Sequence, residues 1–554
     1  MCGIAGVLSK LGHDITPHVM NMLSCMVNRG PDGAGVAVKN SVAYSYKLSE
    51  LGLNQFNGDI ALGHTRLAIV GGTCGLQPFR SCDGRILLEH NGEIYNYKKL
   101  RKELQDSHHF GTRTDSEVIV HLIEQYYNGD LLKAVKKALR RLDGVYAIAI
   151  KDDKSIVIVR DKLGIRQLYY GENDELIAFA SEMKALWMIG LKNVHRVMPG
   201  FAVRFSDGKT KIEKLAEAPV HPRGRNVTDM RTAIKMYKKA LYRAVEKRIE
   251  DLKKVGIIFS GGIDSVLIAK IAKDLGVPNL CCYTAGLIGS HDLKYAHEVA
   301  ENLGLDLKSW ELTTSDIESM LPKIIEVIED TNAGQVEVAI PVYAAVALAH
   351  KDRLKVMLGG QGADELFGGY PWYSKIVGTQ GYDEFHKCLV KDILYLYKES
   401  FEREDKITMA HSIESRIPFL DPQVIRVAMR IDPRLKIFDG DDNFGKHVHR
   451  ELALEIGIPK AIAFRPKEAA QHGSGIHDII DVIARSKGFT KELVTKANYH
   501  SVLSGREKIG SSQRYGYQFG DEDLWIAEDH VQMYLDHLAR KHGLIELENA
   551  HRLI

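Results

Sequence analysis

A strand-rich α+β domain, followed by an α/β domain with a parallel sheet and a helical C-terminal part, is the architecture predicted by this 554-residue sequence. Three observations lead there. The chain is too long for a single hydrophobic core and divides into two or more domains. Up to about Phe205 it carries short apolar runs separated by Gly and Asp: Ile60–Val70, Arg85–His90, Tyr146–Ile150, Ser155–Arg160 and Leu176–Ala180. These read as strands of a β-rich layer, interrupted by helical stretches near His18–Val27 and Asp115–Tyr127. After about Thr228 the texture changes to continuous apolar strands, Val255–Phe259, Leu280–Thr284 and Lys355–Leu358, alternating with helical segments such as Ser265–Leu275. That alternation indicates a parallel sheet covered on both faces.

Between the halves, residues 206–228 (SDGKTKIEKLAEAPVHPRGRNVT) are polar, hold two prolines and lack a clear period. The expected division is therefore a domain over 1–205, a linker over 206–228 and a second domain over 229–554, mostly helical from about Phe401.

Composition excludes more than it selects. Hydrophobic residues make up 45% and charged residues 26%, ordinary values for a globular protein. The net charge of +2, from 74 basic and 72 acidic residues, steers the chain to neither nucleic acid nor a membrane surface. The local basic cluster KAVKKALRR, Lys133 to Arg141, reads as a solvated helix face. No apolar run reaches bilayer length, and Ala339–Ala349 suits a buried helix. The start, MCGIAGVLSK, lacks the features of a secretory signal, and seven scattered cysteines suit a reducing compartment. Cytoplasm is the expected location.

Chemistry is legible at the N-terminus. Removal of the initiator Met would leave Cys2 with a thiol and a free α-amine on one residue. The amine titrates near 7.7–8.0 and the thiol near 8.5, so the amine could serve as base for its own nucleophile. Four further elements follow in order: Arg29-Gly30-Pro31-Asp32-Gly33, Gly63-His64-Thr65-Arg66-Leu67, Asn91-Gly92-Glu93-Ile94-Tyr95-Asn96 and Thr114-Asp115-Ser116-Glu117. The series resembles the glutaminase domain of class II, N-terminal-nucleophile amidotransferases over roughly the first 200 residues. That resemblance implies an αββα sandwich, Cys2 as nucleophile, Asn91 and Gly92 as oxyanion hole, and Arg66, Glu93 and Asp115 as the glutamine-binding residues. These residue types suit glutamine: a guanidinium fork for its α-carboxylate, carboxylates for its ammonium, and amide donors for the tetrahedral oxyanion. Asn28 stands where the family usually has His before Arg-Gly-Pro-Asp, a position expected to shape the pocket.

In the second half the strand Val255–Phe259 runs into Ser260-Gly261-Gly262-Ile263-Asp264-Ser265. A strand ending in Ser-Gly-Gly and opening a helix points backbone N–H groups at an anion. Walker spacing is absent, and the loop resembles the pyrophosphate-binding loop of ATP pyrophosphatases. A second signature, Gly359-Gly360-Gln361-Gly362-Ala363-Asp364-Glu365-Leu366-Phe367-Gly368-Gly369-Tyr370, follows the strand Lys355–Leu358. Downstream come Met409-Ala410, Glu414 to Asp421 (ESRIPFLD) and Lys446-His447-Val448-His449-Arg450. Together they resemble the synthetase domain of glutamine-hydrolysing asparagine synthetases, so the likeness spans nearly the whole chain.

The resemblance implies that Phe259, Ser260, Gly261, Gly262, Asp264, Ser265, Ala285, Gly359, Gly360 and Lys446 bind ATP. Phe259 and Ala285 would line the adenine, and Asp264 and Asp364 would hold Mg²⁺. Arg416 is expected to be structural. Gln361 departs from the family's usual Glu, and glutamine cannot act as a base near neutral pH. Glu365 is the loop carboxylate left for that duty, with Gln361 orienting the nucleophile. The expected substrates are glutamine, aspartate and ATP, the products asparagine, AMP and pyrophosphate, with ammonia passing by a sheltered route that no stretch of sequence reveals. Rival readings are amidation of another carboxylate, such as a cell-wall or natural-product precursor, a β-lactam synthetase, which an intact Cys2 site argues against, and a non-catalytic glutamine sensor. No nucleic-acid or membrane partner is expected, and a homodimer is admitted without being required.

Overall fold

The computed structural model describes residues 1–53, 56–206, 208–224, 226–499 and 528–543. Two compact units emerge: Met1–Glu217 joined by Met409–Ser412, and Ala218–Thr408 with the described residues from Ile413 onward.

The first unit is built on β1 (Cys2–Ser9), β2 (Ala34–Val38), β3 (Ser41–Ser45), β4 (Ile60–Arg66), β5 (Phe79–Arg80), β6 (Leu87–Ile94), β7 (Gly144–Lys151), β8 (Ile156–Arg160), β9 (Tyr169–Glu172), β10 (Leu176–Ala180), β11 (Val194–Arg196), β12 (Phe201–Ser206) and β13 (Lys209–Lys214). They form two antiparallel sheets, β11-β9-β10-β1-β4-β2-β3 and β13-β12-β8-β7-β6-β5. Alternate side chains of both sheets meet in one apolar layer, Ile4 and Leu62 against Leu87, Ala147 and Ile158. The opposite face of the second sheet packs under the helices Tyr97–Leu104, Glu117–Tyr126 and Leu131–Leu139. Thr16–Cys25 and Met183–Met188 cover the first sheet, completing an αββα sandwich.

Two local outcomes matter for function. The strand expected over Arg85–His90 continues through Asn91 to Ile94, because β7 pairs with it as far as Ile94 opposite Gly144. Polar Asn91 and Glu93 hid that extension from an apolar-run criterion. The helix bearing the basic cluster is capped by Asp130, whose side chain accepts from the Lys133 N–H, and it buries Leu131, Ala134, Val135 and Ala138 while its lysines face outward. Residues 206–228, read as a linker, contain β13, an edge strand paired with β12 from Phe201 opposite Lys214 to Ser206 opposite Lys209.

The second unit holds a parallel sheet of β14 (Lys254–Ile258), β15 (Asn279–Leu287), β16 (Leu307–Leu312), β17 (Val356–Leu358) and β18 (Glu414–Arg416), ordered β16-β15-β14-β17-β18. The order reverses between β14 and β17, the switch point where ligands of such sheets bind beyond the strand ends. Beyond Phe401 the described residues are mostly helical apart from β18, whose three residues are too few to show a period. The helix Ala333–Lys351 corrects the expectation that no segment reaches bilayer length. It is long and apolar enough by length and composition, yet 61% of its apolar window is buried inside the unit.

One residue violates the sandwich core. Glu89 lies on the face of β6 that sends Leu87 inward. It is fully buried, and neither carboxylate oxygen finds a hydrogen-bond partner among the described residues. Burial therefore raises its carboxyl well above the usual range. A raised folded-state value means that the folded chain holds the proton longer than the unfolded one, so stability falls as pH climbs above about 4.3. Glu89→Met is expected to stabilise the first unit by about 1–3 kcal/mol at pH 8, with less gain at pH 5. Thermal unfolding at the two pH values checks this, and an equal or smaller gain at pH 8 would refute it.

Candidate active sites

Cys2 opens β1, and the antiparallel register sets it opposite Arg66 at the end of β4. Its backbone N–H donates to Asn91 Oδ1 at 3.0 Å, and Arg29 Nε donates to its carbonyl at 3.1 Å. Arg29 is itself buried and paired with Glu182 at 2.9 Å. This clamp was not singled out from the sequence, although Arg29 begins a quoted motif. Asn28, the departure from the family pattern, is exposed.

With its oxygen committed to Cys2, Asn91 has a buried side-chain N–H group that finds no acceptor among the described residues. Gly92 is required for space, since a Cβ there would lie 2.1 Å from the Val145 carbonyl. Arg66 is buried, and its guanidinium donates to the carbonyls of Thr73 at 3.2 Å and Val70 at 3.3 Å. These bonds fix its plane and use only part of the guanidinium's donor set. Asp115 Oδ2 accepts the Ile94 N–H at 2.9 Å. Glu93, two residues from Asn91 on the same face of β6, is buried beside it.

Burial pushes the Cys2 thiol up; the chain's terminal amine, the Leu67 N–H and Arg66 pull it back, and Asp115 adds to the rise. The net shift is upward, so the surroundings do not by themselves yield a thiolate.

In the second unit the loops after β14 and β17 bound a cavity of about 400 Å³. Phe259, Ser260, Asp264, Ser265, Ala285, Gly360, Gln361, Asp364 and Glu365 all line it. An adjoining recess of about 100 Å³ is lined by Ser260, Gly262, Asp264 and four cations, Lys446, Arg450, Arg465 and Lys467. Gly261 and Gly359 lie in the loops outside both linings. Gly261 has φ +73° and packs against Ala296, a turn that a side chain would strain.

Lys446 holds this region together. It sits at φ +54° at the start of the helix His447–Glu455. Its ammonium lies 2.7 Å from Asp264 and 2.6 Å from Asp364. Lys467 adds a second cation 2.9 Å from Asp364, and His449 lies 3.1 Å from Asp264. Burial alone would raise the Asp264 carboxyl, but Lys446 and His449 outweigh it and hold it well below the ordinary range. Two convergent carboxylates already coordinated to a cation fit a hard metal ion in donor type. Lys467 and Arg465 were not legible in the sequence, since no spacing links them to either loop.

Glu365 turns to Tyr370, whose hydroxyl donates to it at 2.7 Å, and burial with Asp364 raises its carboxyl to about 7. Gln361 donates its amide to Glu404, a residue that no motif had marked. Arg416 pairs with Glu414 at 3.0 Å and donates to the Arg248 carbonyl at 2.6 Å, a structural arrangement.

These two sites define a class: a glutamine amidotransferase domain and an ATP-dependent synthetase domain in one chain. Residues 52–198 match the glutamine amidotransferase domain family, and 236–382 with 377–506 match the asparagine synthase family. The Methanocaldococcus jannaschii protein named "Putative asparagine synthetase (glutamine-hydrolyzing) 1" is 34% identical over 90% of this chain and 98% of its own length. Asparagine synthetase (glutamine-hydrolyzing) 3 of Arabidopsis thaliana is 31% identical over 86% of this chain and 79% of its own. The Asparagus officinalis enzyme is 30% identical over 86% and 78%. The chain belongs to the glutamine-hydrolysing asparagine synthetases.

Replacing Lys446 by Met would leave Asp264 and Asp364 facing each other with Lys467 as the nearest ammonium among the described residues. A loss of about 3–5 kcal/mol in the stability of the second unit is expected, read by denaturant unfolding without nucleotide or divalent ion. An unchanged midpoint would mean that the cluster carries no structural weight.

Proposed function

We propose that the chain makes asparagine from aspartate, ATP and glutamine, through the following assignment of residues. Removal of Met1 turns the nitrogen now held by Asn91 Oδ1 into an amine beside the Cys2 thiol. That amine takes the thiol proton, and the sulfur attacks the glutamine side-chain carbonyl. Arg66 holds the α-carboxylate, and Glu93 and Asp115 hold the ammonium. Asn91 and Gly92 stabilise the oxyanion, whose collapse releases ammonia and leaves a thioester for water to cleave.

In the second unit Phe259 and Ala285 flank the adenine, and the Ser260–Ser265 loop with Gly359 and Gly360 cradles the phosphates. Lys446 and its neighbouring cations neutralise the pyrophosphate that leaves as the aspartate carboxylate takes AMP. Asp264 and Asp364 would hold Mg²⁺, which when bound offsets phosphate charge. Ammonia then attacks the acyl-adenylate. The observation that carries this reading is the uncommitted Asn91 amide at Cys2 on the same chain as a cavity meeting a cationic recess at the β14–β17 switch point. Seven cysteines, an odd number scattered over the chain, suit a reducing compartment, which supports placement in the cytoplasm.

Cys2→Ala is expected to abolish glutamine-dependent synthesis while synthesis from ammonium salt persists; loss of both in a folded variant would overturn the two-site reading. Labelled pyrophosphate should exchange into ATP only when aspartate is present, without ammonia. Exchange driven by some other carboxylate instead would transfer the assignment to a different acceptor, the reading for which Gln361 is the motive.

A further inference from the structure

When ammonia attacks an acyl-adenylate its nitrogen becomes cationic and must shed a proton, yet Gln361 cannot take one. We propose that the carboxylate of Glu404, held against Gln361 in the wall of the cavity, is the group that accepts it. The proposal rests on the asparagine-forming reading above.

Glu404 is 2% exposed and lines the same cavity as Gln361 and Asp264. Its Oε2 accepts the Gln361 amide, and its Oε1 accepts the Ser415 hydroxyl at 2.6 Å. Each oxygen retains a second lone pair for an N–H. The amide nitrogen of Gln361 is committed to Glu404, and its carbonyl oxygen lies close to Gly359, as does Glu404 Oε1. The Gln361 oxygen is buried and has no hydrogen-bond partner among the described residues. Gln361 and Glu404 therefore offer two adjacent acceptors to one small molecule carrying several N–H bonds. Ammonia bound by both turns its lone pair away from them.

The step then balances. The nitrogen lone pair forms the C–N bond as the carbonyl π pair moves to oxygen. Glu404 removes one N–H proton. The oxyanion collapses, and AMP leaves with the electron pair of the C–O bond that joined it to the acyl carbon. The proton remains on Glu404 until solvent takes it.

Charge around Glu404 is compatible with this duty. Burial pushes its carboxyl up, the Ser415 hydroxyl and Arg403 pull it back, and the balance is about 7, which suits a base near neutral pH. Arg403 is engaged elsewhere, donating to Gln335 Oε1 at 2.5 Å and to the Glu399 carbonyl at 2.9 Å. Glu365 is placed differently: it takes the Tyr370 hydroxyl and adjoins Asp364 in the ion cluster.

Two partial reactions test the idea on the full-length enzyme: aspartate-dependent exchange of pyrophosphate into ATP, and asparagine formation from ammonium salt. Glu404→Gln should keep exchange near the wild-type rate and lower asparagine formation by on the order of 10²-fold or more. The double variant Gln361→Glu/Glu404→Gln moves the carboxylate to the neighbouring position and should recover much of that loss. Asparagine formation at the wild-type rate in Glu404→Gln would overturn the proposal, as would exchange falling in step with it or a failure of the double variant to recover. If the wild-type enzyme shows no aspartate-dependent exchange, the underlying reaction is misassigned, an outcome separate from all of these.

Discussion

The ammonium of Lys446 between Asp264 and Asp364 is the interaction on which the wall of the second unit's cavity depends. Two carboxylates brought together in a low-dielectric wall repel each other and resist burial, and only a desolvated cation lying between them makes the arrangement tolerable. That one contact ties together the loop after β14, the loop after β17 and the start of the helix His447–Glu455. It also makes two carboxylates from different loops converge on one point of the cavity wall. The positive backbone angle of Lys446 is the conformational cost of delivering the ammonium from a helix start.

In the first unit the governing constraint is strand register. Pairing of β1 with β4 sets Cys2 opposite Arg66, and the facing sheet brings Asn91 to the Cys2 nitrogen. A slip of one residue would turn every one of these side chains to the opposite face. Burial of Cys2 among these residues also raises its thiol. The Arg29–Glu182 pair holds the Cys2 carbonyl in place and lets the chain end be rigid without blocking its side chain.

Charge within the second cavity is distributed by neighbourhood rather than by sequence order. Asp364 and Glu365 are consecutive, yet one belongs to the Lys446 cluster and the other to Tyr370. Gln361 in the same loop reaches across to Glu404 on the helix Glu402–Ala410. A neutral residue at a position where the family commonly has an acid does not leave the cavity without a carboxylate. The acid is contributed from another element, and the amide joins the two.

Sequence alone determined the two-domain order, the class of each domain and most of the loop residues that line the second cavity. Those features are local: a strand running into Ser-Gly-Gly, or Asn-Gly-Glu within a few positions, is a short motif by which the resemblance to a family is recognised. It also marked Cys2, Arg66, Asn91 and Asp115, because five ordered elements constrain one another. It missed the continuation of β6 through Asn91, since polar site residues break the apolar pattern by which strands are found. It likewise missed the edge strand within residues 206–228 and the three-residue strand β18. Only the tertiary structure decided which cations meet Asp364, that Arg29 holds Cys2, that Glu89 is buried with no hydrogen-bond partner among the described residues, and that Gln361 lies against Glu404. Those pairings join residues far apart in the chain, chosen by packing and by the cost of burying unpaired charge, and no local period records either.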